Sequence, residues 1–95
     1  MLASLREASK KGRLAMVFVE SPANPTNSLV DFEALNRVLD IIEKETDLRP
    51  ISVCDNTLMG PVFQQVVPQG IDMAMYSLTK YVGGHSDLVA GAVCG

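Results

Sequence analysis

The stretch LAMVFVESPANPTNSLVDFEALNRVLDIIEKETDLRPISVCD, Leu14 to Asp55, holds a strand, a loop, a helix and a second strand in that order. Six apolar residues run unbroken from Leu14 to Val19 before Glu20. A run with no polar alternation predicts a strand buried on both faces, as in the parallel sheet of an α/β protein. SPANPTN then puts two prolines and two asparagines into seven residues, which predicts a loop. Ser28 and Asp31 have the spacing of a capping box, with Asp in place of the preferred Glu. Phe32, Leu35, Val38, Leu39 and Ile42 follow as one apolar helix stripe, backed by Glu33, Arg37, Asp40, Glu43 and Lys44 on the polar face. Pro50 lies beyond the helix end, and ISVCD, Ile51 to Asp55, predicts the second strand. A helix between two strands implies a parallel, right-handed crossover.

Working outward, residues 2–10 predict a helix that Gly12 ends, so that residues 1–13 form an N-terminal segment of uncertain assignment. After Asp55, NTLMGP predicts a turn and PVFQQVV one short helical turn. Ile71 to Ser77 and Leu88 to Cys94 predict a third and a fourth strand. Met59, Met73 and Met75 read as core fillers. The fold class is therefore α/β with a mostly parallel sheet. One good helix for four strands leaves a sheet face uncovered, whereas parallel sheets normally have both covered. The 95 residues are expected to be the central part of a larger domain.

Composition narrows the function. Hydrophobic residues make up 47% and charged residues 20%, a globular balance that is rich for so short a chain. The net charge of -3 points to neither nucleic acid nor an anionic membrane surface. No 20-residue apolar run predicts a membrane span, and the N-terminus lacks the apolar core of a signal peptide. A cytoplasmic location is the default expectation. Cys54 and Cys94, in apolar runs 40 residues apart, are expected to be reduced and buried rather than paired.

Polar residues gather where the predicted strands end: Glu20 with Ser21, Asp55 with Asn56, and Ser77 with Thr79 and Lys80. Ligands of open α/β sheets sit outside the carboxyl ends of the strands. A lysine amine can attack a carbonyl when it is neutral. A strand-end aspartate can pair with a cationic ring nitrogen, and hydroxyls with turn amides can bind a phosphate. Carbonyl, ring nitrogen and phosphate together describe pyridoxal phosphate.

Three motifs carry a family resemblance. SLTKYVGGHSD, Ser77 to Asp87, resembles the cofactor-lysine signature of the Cys/Met-metabolism pyridoxal-phosphate enzymes, the transsulfuration group of cystathionine γ-synthase, cystathionine lyase and methionine γ-lyase. ESPANPT, from Glu20, resembles that family's upstream loop, and VCDNT, from Val53, resembles its V-D-N-T strand end. The resemblance covers Leu14 to Gly95. It implies the large cofactor domain of a fold-type I transferase, of which this chain would be the central part. It also implies pyridoxal 5'-phosphate held by Lys80 as an internal aldimine, with Lys80 then serving as proton-transfer base. Asp55 would accept the bond from the ring N–H, Ser77 and Thr79 would bind the phosphate, Asn24 would lie near the ring hydroxyl, and Thr57 would contact the ring face.

The same resemblance implies β- or γ-elimination, or γ-replacement, on a sulfur amino acid or an activated homoserine, in a parent that is a homodimer or homotetramer. Glu20 and Ser21 are expected to shape the loop, and His85 with Asp87 to form a structural turn rather than a metal site. QQVVPQGID departs from the family's proline-leucine-acidic turn, a change expected to stay local to a connector. Relatives are several times longer. Their glycine-rich phosphate loop, stacking tyrosine, carboxylate-binding arginine and small domain have no counterpart here, so the chain is expected to be an inactive fragment. Two other classes stay open: a non-catalytic remnant or interaction fragment, and another fold-type I enzyme such as an aminotransferase.

Overall fold

The computed structural model describes residues 1–95. Strands β1 (Met16–Glu20), β2 (Ile51–Asp55), β3 (Met73–Ser77) and β4 (Gly91–Cys94) form one sheet in the order β1-β2-β3-β4. β1–β2 and β2–β3 pair in parallel, and β3–β4 pair antiparallel. Helix α1 (Leu2–Lys11) precedes the sheet, and α2 (Phe32–Thr46) joins β1 to β2. A single helical turn α3 (Gly60–Phe63) and a 3-10 turn at Val67–Gln69 join β2 to β3.

The strand alternation and the helix stripe meet on one face. Val17, Cys54 and Ala74 point inward and pack with Phe32, Leu35 and Leu39 of α2, joined by Val66 and Ile71 from the connector. Removing each of the Val, Leu, Ile and Phe side chains from water stabilises the fold by about 1.5–3 kcal/mol. The register sets Phe18 beside Val53 and Met73 on the opposite face. That face has no helix over it, and Met16, Phe18, Ile51 and Val93 stand exposed.

Several expectations need correction. Asp31, not Ser28, caps α2: its carboxylate accepts the Ala34 N–H at 2.9 Å. Ser28 instead bonds Thr26 within the loop. The C-terminal end of α2 closes on Asp47, which adopts a left-handed φ of 58° and donates its N–H to Glu43.

β3 starts at Met73 rather than Ile71. Asp72 Oδ2 accepts the Ser52 N–H (2.7 Å) and hydroxyl (2.8 Å), while Ser52 Oγ accepts the Asp72 N–H (3.0 Å). These side-chain bonds replace one rung of the ladder. Burial pushes the Asp72 carboxyl up, but the Ser52 bonds and Arg49 outweigh it and hold it below its usual range.

β4 starts at Gly91 rather than Leu88, because Gly91 pairs with Ser77, where β3 ends. No β4 residue is buried, so Cys94 is exposed while Cys54 is buried; both are free thiols. Met59 and Met75 are half-buried, and Met73 sits at the surface of the open face, so none of the three methionines belongs to the buried core.

Candidate functional site

The carboxyl ends of β1, β2 and β3 lie side by side because the strands are parallel and in register, Glu20 beside Asp55 and Asp55 beside Met75. A cleft of about 450 Å³ opens at this edge. Asn24, Asp55, Thr57, Ser77, Thr79 and Lys80 all line it, with Glu20 at the β1 end and Gly84 and Ser86 on the far side. All six residues singled out from the sequence are thus brought to one place, from segments as much as 56 positions apart in the chain (80 minus 24).

Hydrogen bonds divide the lining into anchored and free groups. Asp55 Oδ1 accepts the Thr57 N–H at 3.0 Å and the Thr57 hydroxyl at 2.5 Å. Thr57 Oγ1 in turn accepts the Ser77 N–H at 2.8 Å. A backbone N–H can only donate, so the proton of the Thr57 hydroxyl is directed at Asp55. One hydroxyl therefore links the ends of β2 and β3 and fixes the carboxylate, leaving Asp55 Oδ2 without a bond inside the chain. The Ser77 hydroxyl is likewise free. The Thr79 hydroxyl accepts the Ala90 N–H at 3.2 Å and points toward the Ala90 carbonyl at 3.5 Å, a long contact that is easily exchanged.

Lys80 sits in the turn that follows β3. Its N–H donates to the Ser77 carbonyl, and its own carbonyl accepts the Gly84 N–H at 2.9 Å. Gly83 closes the turn through a 2.7 Å bond to the Leu78 carbonyl. A Cβ at Gly83 would stand 2.6 Å from that carbonyl oxygen, and Gly84 has a φ of 73°, so the turn needs both glycines. The Lys80 ammonium is exposed and forms no ion pair or hydrogen bond inside the chain. His85 Nδ1 lies 2.9 Å from the Gly83 carbonyl, and no three His, Cys, Asp or Glu side chains gather as a metal would need. Asn24 stands exposed in the loop after β1, which the Ala23–Ser28 and Asn27–Ala23 backbone bonds hold closed.

Below the lining runs a polar layer that the sequence reasoning did not identify. Asn56, fully buried, donates through Nδ2 to the Gln64 carbonyl (2.7 Å), the Gly60 carbonyl (3.3 Å) and the Tyr76 oxygen (3.3 Å). Gln64 Nε2 donates to the Ser21 carbonyl (2.7 Å) and to Asn56 Oδ1 (2.8 Å). Its sequence signals were Asn56, already noted at a strand end, and the polar pair QQ inside a connector, of which Gln64 finds a partner as distant as Ser21. Ser21 is buried and shapes the loop by accepting the Val30 N–H at 3.0 Å. Glu20 faces the cleft with no partner in the chain.

The free groups fit pyridoxal phosphate. An unpaired primary amine, an unpaired carboxylate oxygen and an unpaired hydroxyl on adjacent strand ends are the donor set for its carbonyl, its ring N–H and its phosphate.

Residues 2–95 match the family described as Cys/Met metabolism PLP-dependent enzyme, twelve positions further toward the N-terminus than the resemblance at Leu14 (14 minus 2). The chain is 43% identical to human cystathionine gamma-lyase over 89 residues, 94% of this chain and 21% of that protein. It is 36% identical to L-methionine gamma-lyase of Fusobacterium nucleatum over 92 residues, 97% of this chain and 22% of that protein. Among solved structures, cystathionine gamma synthase from Xanthomonas oryzae pv. oryzae superposes with a TM-score of 0.75 at 32% identity, over 99% of this chain and 22% of that one. The methionine gamma lyase from Micromonospora echinospora gives 0.70 at 35% identity, over 83% and 20%. The chain spans about a fifth of the length of the relatives it matches. Its sheet is part of the large domain of the fold-type I pyridoxal-phosphate enzymes, and the chain belongs to the Cys/Met metabolism PLP-dependent enzyme family.

Proposed function

We propose that residues 1–95 form part of the pyridoxal-phosphate-binding domain of a transsulfuration enzyme, one that carries out β- or γ-elimination or γ-replacement on a sulfur amino acid or an activated homoserine. The observation that carries this reading is the meeting of Lys80, Asp55 and Ser77 in one cleft, each with a free functional atom. Bound pyridoxal phosphate supplies the electron sink for a carbanion formed next to the substrate amine.

The chain's own residues have separate tasks. Lys80 Nζ would hold the cofactor covalently and, as a free amine, would take and return a proton. Asp55 Oδ2 accepts the ring N–H and keeps the ring cationic, with Thr57 fixing the carboxylate from behind. The Ser77 hydroxyl donates to the phosphate, joined by Thr79 when it exchanges its long contact with Ala90. Asn24 reaches the ring hydroxyl. The parent protein is cytoplasmic and a homodimer or homotetramer in this reading, with a neighbouring subunit and further segments completing the site, and the isolated chain is inactive.

The test maps the cofactor on the chain. The protein is mixed with pyridoxal phosphate, reduced with borohydride, digested and analysed by mass spectrometry. The expected product is an adduct at Lys80 in large excess over Lys10, Lys11 and Lys44, and it disappears in Lys80→Ala. Equal labelling of all four lysines would reject a formed site in this chain.

A further inference from the structure

The layer beneath the cleft has a geometry that ordinary core filling does not require. Asn56 is bonded to the neighbours of the site on every side: it follows Asp55 and precedes Thr57, and its amide reaches Tyr76, the residue before Ser77. Gln64 adds the third strand end by donating to the carbonyl of Ser21, which begins the Asn24 loop. Both Nε2 protons of Gln64 are spent, one on Ser21 and one on Asn56. Asn56 and Ser21 are shut off from water, so neither Asn56 Oδ1 nor the Ser21 carbonyl can replace a lost donor with solvent. The backbone bonds Ser21 N–H to Asp55 (3.2 Å) and Asn56 N–H to Met75 (2.9 Å) run across the same edge.

We infer that Asn56 and Gln64 are positioning residues: an amide pair, Asn56 buried and Gln64 half-buried, that locks the carboxyl ends of β1, β2 and β3 into one unit and so sets Asp55, Ser77 and the Asn24 loop relative to each other. Neither amide touches the cleft, and the connector that carries Gln64 acts as the clamp of the site as well as the link from β2 to β3. The inference rests on the cofactor site proposed above for its functional consequence, and on the hydrogen bonds alone for the lock.

Two readouts separate these. Amide hydrogen exchange of the chain under mild denaturant should show Ser21, Asn56 and Ser77 opening together, as one unit, before Ser52 and Asp72 at the opposite sheet edge. In Gln64→Leu, which fills the space but donates nothing, exchange at those three amides should rise by at least about tenfold while Ser52 and Asp72 stay unchanged. Gln69→Leu, which removes an exposed amide of the same connector, should change neither set. The preference of borohydride labelling for Lys80 should fall by about tenfold in Gln64→Leu and not in Gln69→Leu.

Separate openings of the three amides in the unsubstituted chain would overturn the lock even if Gln64→Leu failed to fold. An equal rise at both sheet edges would do the same, by reducing Gln64 to a general core contact. A chain with the joint opening but no Lys80 preference would leave the lock standing and reject a formed cofactor site in this chain instead.

Discussion

Thr57 shows how one hydroxyl is fixed by what surrounds it. Its oxygen takes the Ser77 N–H and its proton goes to Asp55, so a residue expected at the ring face also orients the carboxylate. Cys54, on β2 three positions earlier, is a contrasting case, a thiol held in the core. Burial pushes Cys54 up to about 11, so it stays protonated at neutral pH, while Cys94 is exposed on β4. Iodoacetamide at pH 8 should alkylate Cys94 and spare Cys54 in the folded protein, read by mass spectrometry; comparable rates would contradict the buried position. The linkage has a fixed sign. A thiol whose proton is held more tightly in the folded state contributes stability that is complete below its unfolded pKa. That contribution is lost as pH rises through about 11, so unfolding in denaturant should become easier in this alkaline window.

At the scale of elements, α2 brings Phe32, Leu35, Leu39 and Ile42 to the core, and its start decides its register. Asp31 is bonded to the third residue of the helix and Ser28 only to Thr26, although both lie at capping distance from apolar helix positions. Asp31→Ala should cost about 1 kcal/mol in a denaturant melt, and Ser28→Ala should stay within about 0.5 kcal/mol. The reverse order would restore the capping box expected from the sequence. The connector after β2 is tied to the same helix: Asn36 donates to the Gln69 carbonyl at 3.0 Å, and Gly70, at a φ of 89°, leaves room for the Asn36 amide. A Cβ at Gly70 would lie 2.6 Å from that amide nitrogen.

For the whole molecule, the two sheet faces differ in energy. Leu39 is fully buried between α2 and the sheet, and Phe18 is half exposed on the open face. Leu39→Ala should destabilise the chain by about 2–5 kcal/mol, whereas Phe18→Ala should cost about 1 kcal/mol, both measured by denaturant unfolding. Similar losses at the two positions would mean that the open face is covered in solution.

The strand, helix and strand of Leu14–Asp55 were legible as elements from a continuous apolar run for β1, a helical stripe for α2, and a loop dense in proline and asparagine between them. But β1 starts at Met16 rather than Leu14, and the burial on both faces expected of it is not there, since Met16 and Phe18 stand on the open face. That the six residues meet in one cleft was legible because strand ends in an open parallel sheet converge whatever lies between them. The strand starts were not, because β3 and β4 begin where pairing with a partner strand begins. Asp72 replaces a rung by side chain, and Gly91 begins β4 only because Ser77 ends β3. Nor was the Asn56–Gln64 pair, since an amide's partners lie on other segments: Gln64 to Ser21 is 43 positions apart, and no spacing rule reaches that far. The sequence by itself determined the elements, their order and the chemistry offered at their ends, because these follow from local burial and residue type. Only the tertiary structure decided which polar atoms are spent and which stay free, because hydrogen bonds between distant segments depend on where the packed sheet puts them.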